Sequence, residues 1–386
     1  MLQSVLSFLG LALQTRAMVF VPELTGPYKV GTTVLELVDF ARTDPFAPTP
    51  QPRDLVVSLF YPTESPSKQA CNCTLAPQFP PKTAALIDNM FNVSGVAESI
   101  TTRSCVDSPL SRPDLPLLLF GPGLGTSRLF YSDLAEEIAS YGWNVVTVDP
   151  PYDSIVVEYP DGRTVLPSDS PTVANATIEE FVYARVADLI FVLDSLANSS
   201  VVSRIPGLGG VSSYQKSGSH EHAKPKLRTD KIGVFGHSLG GATALQLLKN
   251  DTRFHVGANL DGAAEGSVVQ EGTDSPFLFF GRPDHNRHTD DTWAEAWQNL
   301  RGFKREYAVN GTQHGAYSDL PIFRDILGDQ FPSELSGGLG TIKGTRIMEI
   351  ETAFLKALFD RFLKGHGGQL LDGKGLDHWP EVALVE

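Results

Sequence analysis

Short uninterrupted apolar runs alternate along this chain with longer segments whose apolar residues recur at helical spacing. The runs lie at 115–120, 143–148, 232–235, 256–260 and 276–280, and a shorter one at 306–309 closes the series. A strand that is apolar on both faces must be covered on both faces, the mark of a parallel sheet held between layers of helices. The segments between the runs supply those layers, at 130–141, about 177–197, the Ala/Leu-rich stretch after Gly240, 292–300 and about 346–364. In the second of these, Leu189, Val192, Leu193 and Leu196 fall on one face and give it a core side. The alternation predicts an α/β fold with a mostly parallel central sheet and helices on both faces.

Ahead of this pattern, 33–38 and 55–61 read as two strands that open the sheet, separated by Pro45, Pro48, Pro50 and Pro52, which exclude regular structure between them. Residues 62–114 combine prolines, all three cysteines and one helical patch at 83–91, and read as an insertion rather than a second domain. A hairpin is expected at 155–165 around Asp161-Gly162. The Gly/Ser-rich stretch 198–229 is a second insertion, so residues 18–386 read as one domain.

Residues 1–17 stand apart, with an apolar run at 5–13 followed by Thr15-Arg16-Ala17. Small residues at the outer positions suit cleavage of a signal peptide before Met18, and the run is too short to span a membrane. Six N-x-[ST] sequons, at Asn72, Asn92, Asn175, Asn198, Asn250 and Asn310, fit a secreted glycoprotein. In an oxidising compartment either Cys71 or Cys73 can bridge to Cys105, leaving one odd thiol. A formal net charge of -14 without a basic cluster argues against nucleic acid as a partner. His220-Glu221-His222 lacks a third ligand, and no Cys/His framework accompanies it, so neither metal nor cofactor is expected.

The chemistry enters where the run at 232–235 meets Gly236-His237-Ser238-Leu239-Gly240 and then strong helix formers. This is the nucleophile elbow, a tight strand-to-helix turn that exposes Ser238 beside unpaired helix N–H groups. A serine hydroxyl needs a base, and the base needs a carboxylate to hold its tautomer. In this architecture their order is serine, acid, histidine. Of His255, His285, His288, His314, His366 and His378, only His314 follows the last strand directly in a loop of small residues, and it is the candidate base. His237 neighbours the nucleophile but should point elsewhere, because adjacent residues on a tight turn diverge. Two aspartates end strands after the elbow, Asp261 and Asp284, and the residue pattern leaves them level. The oxyanion hole needs two N–H donors, expected from Leu239 and, in Gly123-Leu124-Gly125, from Leu124.

Those motifs, with Gly-Pro-Tyr-Lys-Val-Gly at 26–31, Phe60-Tyr61-Pro62, Leu260-Asp261 and Gln313-His314, fall where one family has its own. The chain resembles the platelet-activating-factor acetylhydrolases of the plasma and intracellular type II kind, in a fungal-like form, within the α/β-hydrolases. The resemblance covers most of the mature chain. It implies Asp261 as the acid, calcium-independent hydrolysis of short sn-2 acyl groups of phospholipids, and peripheral contact with lipid surfaces. Leu239 stands where the animal enzymes tend to carry an aromatic residue, and Gly262-Ala263-Ala264-Glu265-Gly266 is small where theirs is bulky. Two alternatives stay open. The first is a secreted polyester or cutin-type hydrolase of the dienelactone-like branch, whose acid would be Asp284, or a general short-chain carboxylesterase, and the second is a non-catalytic binding protein on a hydrolase scaffold.

Overall fold

The computed structural model describes residues 17–63, 73–168, 171–209 and 226–385. The predicted signal segment before Ala17, Cys71, Asn72 and His220-Glu221-His222 lie outside them. In chain order the strands are β1 (Val19–Phe20), β2 (Val30–Thr43), β3 (Pro52–Pro62), β4 (Leu75–Pro77), β5 (Ile100–Val106), β6 (Leu117–Gly121) and β7 (Asn144–Asp149). They continue with β8 (Val157–Glu158), β9 (Thr164–Val165), β10 (Ile232–His237), β11 (Phe254–Leu260), β12 (Phe277–Gly281), β13 (Lys304–Val309) and β14 (Val382–Leu384). The predicted hairpin is the β8-β9 pair, and the remaining strands share one sheet in the order β1-β5-β2-β3-β7-β6-β10-β11-β12-β13-β14, with β4 beside β5.

From β7 through β13 every neighbouring pair is parallel, and these strands hold the apolar runs of the sequence. Side chains alternate across the sheet, so each run feeds two cores. Phe120 and Phe235 face the helices Ser132–Ser140 and Gly344–Phe359, where Phe235 meets Phe359 at 5.7 Å between ring centroids. Phe279 faces the opposite layer, built from the helices Ile178–Ala197, Leu239–Asn250 and Asp291–Asn299, and packs on Trp293 at 4.7 Å. Each such side chain contributes about 1.5–3 kcal/mol by leaving water. The helix Ile178–Ala197 starts at a capping box in which the Thr177 hydroxyl accepts from Glu180 N–H while the Glu180 carboxylate accepts from Thr177 N–H. Among the described residues no helix is long and apolar enough to cross a membrane.

Segment 62–114 is more than an excursion from the sheet. Its strand β5 lies between β1 and β2, parallel to both. The polar sequence Ile-Thr-Thr-Arg-Ser-Cys-Val hid that strand from a reading based on apolar runs. The buried Glu136 carboxylate satisfies it, accepting from Arg103 N–H at 3.0 Å and from the Ser104 hydroxyl at 2.5 Å. Cys105 on β5 is disulfide-bonded to Cys73, just ahead of β4, with 5.6 Å between the Cα atoms.

Candidate active site

Four consecutive parallel strands, β10 to β13, deliver the candidate residues at their carboxyl ends, the edge at which such sheets bind ligands. His237 and Leu260 are register partners on β10 and β11, so Ser238 and Asp261 leave adjacent strands side by side. The ladder continues through them, with Ser238 N–H donating to Leu260 O at 2.9 Å and Asp261 N–H to Phe280 O at 2.7 Å.

Ser238 sits at φ 55° and ψ -123°, and the helix Leu239–Asn250 begins on the next residue. A left-handed φ on a non-glycine residue costs on the order of 1–3 kcal/mol and persists only where its surroundings enforce it. Enforcement here comes from the close approach of the elbow to β6. A Cβ on Gly240 would lie 1.9 Å from Gly121 O, and one on Gly236 would lie 2.3 Å from Gly240 C. The two glycines of the motif are therefore contact requirements between neighbouring backbones.

The Ser238 hydroxyl lies 3.0 Å from His314 Nε2, and His314 Nδ1 lies 2.6 Å from Asp261 Oδ2. The His314 side chain is 47% exposed, whereas that of Asp261 is wholly buried. Asp284 does not enter this chain of contacts. Its carboxylate accepts from Arg282 Nε at 2.8 Å on a side chain that is 67% exposed. Asp261 instead collects four donors: His314 Nδ1–H, Arg282 Nη1–H at 2.9 Å, Arg282 N–H at 3.3 Å and His285 Nδ1–H at 2.7 Å. Burial alone would raise the Asp261 pKa, but the hydrogen bonds from His285 and His314 outweigh it and hold the carboxyl well below the usual carboxylate range.

His237 turns inward, as the divergence of neighbours on the turn requires, and takes a supporting place. Its Nε2–H donates to His314 O at 2.9 Å, which leaves Nδ1 to accept from the Tyr131 hydroxyl at 2.8 Å. Burial first, and then the neighbouring His314, push its pKa down to about 3, so the ring is neutral and keeps this tautomer. The Tyr131 oxygen in turn accepts from Gly123 N–H at 3.2 Å, tying the loop after β6 through His237 to His314.

That loop runs beside Ser238, since a Cβ on Gly123 would lie 3.4 Å from Ser238 Cβ. Gly123 N–H and Gly125 N–H are taken, the latter by Asp153 O at 2.8 Å, while among the described residues Leu124 N–H and Leu239 N–H have no protein acceptor. From behind, the buried Arg185 donates to the carbonyls of Pro122 and Gly123 and pairs with Asp153 through Nε at 2.9 Å and Nη2 at 2.6 Å. Arg185→Ala would leave the Asp153 carboxylate buried without its partner. Urea denaturation should show a loss of about 3–5 kcal/mol, and turnover should fall with it as the loop loses its anchor. His285, Arg282, Tyr131 and Arg185 carried no motif that a sequence reading could seize. His285 and Arg282 were nevertheless discoverable as charged neighbours of a strand-ending aspartate.

The family profile described as platelet-activating factor acetylhydrolase, isoform II, matches residues 13–160 and 180–364. A probable 1-alkyl-2-acetylglycerophosphocholine esterase of Arthroderma benhamiae is 30% identical, over 95% of this chain and 93% of that one. A platelet-activating factor acetylhydrolase of Cavia porcellus is 24% identical over 93% of this chain and 80% of its own. Among solved structures, a ferulic acid esterase from Streptomyces cinnamoneus superposes with a TM-score of 0.77 at 30% identity, covering 96% of this chain and all of the other.

Proposed function

The chain belongs to the platelet-activating factor acetylhydrolase, isoform II, family and is a carboxylic ester hydrolase, and from that premise we propose a secreted serine esterase that removes short sn-2 acyl groups from phospholipids without calcium. The observation that carries the mechanism is the unbroken contact chain from Ser238 through His314 to Asp261. His314 Nε2 takes the hydroxyl proton as Ser238 Oγ attacks the ester carbonyl. The oxygen that becomes negative is received by Leu239 N–H and Leu124 N–H, donors already held in place by the helix terminus and by the Arg185-anchored loop. His314 then passes its proton to the departing alkoxide, leaving an acyl group on Ser238. Water repeats the sequence, giving its proton to His314 and its oxygen to the acyl carbon, and Ser238 is restored. Each proton and each developing charge has a protein partner, so the steps call on no divalent cation.

Support for export comes from the surface and the thiols. The five described sequon asparagines, Asn92, Asn175, Asn198, Asn250 and Asn310, are all exposed, as glycan attachment requires. The Cys73 to Cys105 bridge fits an oxidising compartment. The likeness to a ferulic acid esterase favours a second reading, a carboxylesterase acting on aryl or polymeric esters.

The test is a matched panel in excess chelator: sn-2 acetyl and long-chain phospholipids, p-nitrophenyl esters, methyl ferulate and a polyester film. The sn-2 acetyl phospholipid should give the highest kcat/KM and keep it without calcium. A lead for the aryl esters or the film would sink the phospholipid assignment and leave the ester chemistry standing.

A further inference from the structure

The carboxylate that faces His314 is shared with a second histidine. His285 places Nδ1 at 2.7 Å from Asp261 Oδ1 and Nε2 at 2.8 Å from Asp290 Oδ2. Ionised carboxylate oxygens only accept, so both ring nitrogens must carry hydrogen and the ring must be an imidazolium. Its face lies against Trp293, with ring centroids 4.5 Å apart, which fixes its plane. Asp290 in turn accepts from Thr292 N–H at 2.7 Å and Trp293 N–H at 3.2 Å at the start of the helix Asp291–Asn299, so the far end of the relay is anchored to regular structure. Asp261 therefore stands between two cations, His285 and Arg282, before His314 is counted.

We infer that His285 is a positioning residue of the ester hydrolysis: held between Asp290 and Asp261, its imidazolium orients the Asp261 carboxylate toward His314 and offsets part of that carboxylate's charge, so that the triad stays active into mildly acidic solution. This rests on the serine mechanism proposed above and adds to it a residue outside the triad.

The charged surroundings agree. Arg282, Asp284, Arg287 and His288 share the loop of His285, Glu306 approaches from β13 and pairs with Arg287, and the neutral His237 lies behind His314. Burial disfavours a charged His285, but the hydrogen bonds and charges of Asp261 and Asp290 outweigh it and push its pKa up to about 9. With that cation removed, Asp261 would present a fuller negative charge to His314, favouring the protonated base that cannot accept the Ser238 proton.

The test is the pH profile of kcat/KM for the full chain between acid and neutral pH, on a soluble acetate ester with a non-titrating leaving group. It compares wild type, His285→Gln and Asp290→Asn, with Ser238→Ala as the blank. The acid limb should move to higher pH by roughly half to one unit in His285→Gln, and by less in Asp290→Asn, which keeps the ring and loosens its proton. A limb superimposable on wild type in both variants, whatever the plateau, would overturn the proposal and leave His285 a packing residue. Should His285→Gln fail to fold, Asp290→Asn and the native chain still decide. Two-bond proton–nitrogen NMR correlations of His285 at neutral pH should show the imidazolium pattern, and a neutral ring would contradict the inference. A Ser238→Ala blank that turned over like wild type would bring down the serine mechanism itself, and this proposal with it.

Discussion

Ser238→Ala should lower kcat by roughly 10⁴- to 10⁶-fold while the protein stays folded, because in the proposed mechanism the side chain lost is the only one bonded to the ester carbon. Ser238→Gly should lose turnover as completely, yet melt at a higher temperature than wild type. The physical reason is the backbone at φ 55° and ψ -123°, a conformation that glycine adopts without the penalty a Cβ imposes. Relief of about 1–3 kcal/mol of strain is the scale to expect. Turnover assays with the ester panel, fluorophosphonate labelling and thermal melts on the three proteins would check both halves. An alanine variant that labels and turns over like wild type would remove Ser238 from the mechanism. A glycine variant no more stable than wild type would show that the elbow's strain is released elsewhere in the chain.

The second large effect separates the two aspartates. Asp261→Asn should reduce kcat by about 10⁴-fold, because an amide presented to His314 Nδ1 favours the wrong tautomer and no longer stabilises the imidazolium. The loss should be compounded by His285, which would face an amide where it now meets a carboxylate 2.7 Å away. Asp284→Asn should leave kcat/KM close to wild type, since that carboxylate meets Arg282 on a largely exposed side chain and reaches neither histidine of the relay. Side-by-side kinetics on one soluble ester decide the matter. A large loss in Asp284→Asn with little in Asp261→Asn would transfer the acid to the loop after β12 and, with it, favour the aryl- and polymer-ester reading.

The aspartate pair also marks how far the sequence reaches. The candidate nucleophile was legible because everything that marks it is contiguous: a buried run at 232–235, two glycines, a serine and helix formers, all governed by short-range sterics. The apolar strands β6, β7, β10, β11 and β12 and the helices beside them were legible for the same reason, as burial on both faces imposes its own local pattern. Strand β5 was not, because its polar side chains find their partners in distant parts of the chain, at Ala76, at Val21 and on Glu136 of a helix 32 residues away. The pairing of His285 was not legible either, because a charged loop carries no local sign of which carboxylates its histidine meets, and Asp261 lies 24 residues away.

What the chain by itself determined is the set of local parts: an elbow that can hold Ser238 up, strand ends that can carry Asp261, Asp284 and His314, and a glycine loop that can turn an N–H toward substrate. What the tertiary structure decided is which parts meet. Residues 76 positions apart in one pair and 53 in the other reach hydrogen-bond distance only because β10, β11, β12 and β13 lie side by side in one register. The placing of Asp261, rather than Asp284, on His314 follows from which strand ends beside the elbow. The Asp290 to His285 relay and the Arg185 anchor likewise depend on the order in which strands and helices stack. Local sterics write the motifs into the sequence, whereas the alignment of strand ends is a long-range property that no single stretch of the chain contains.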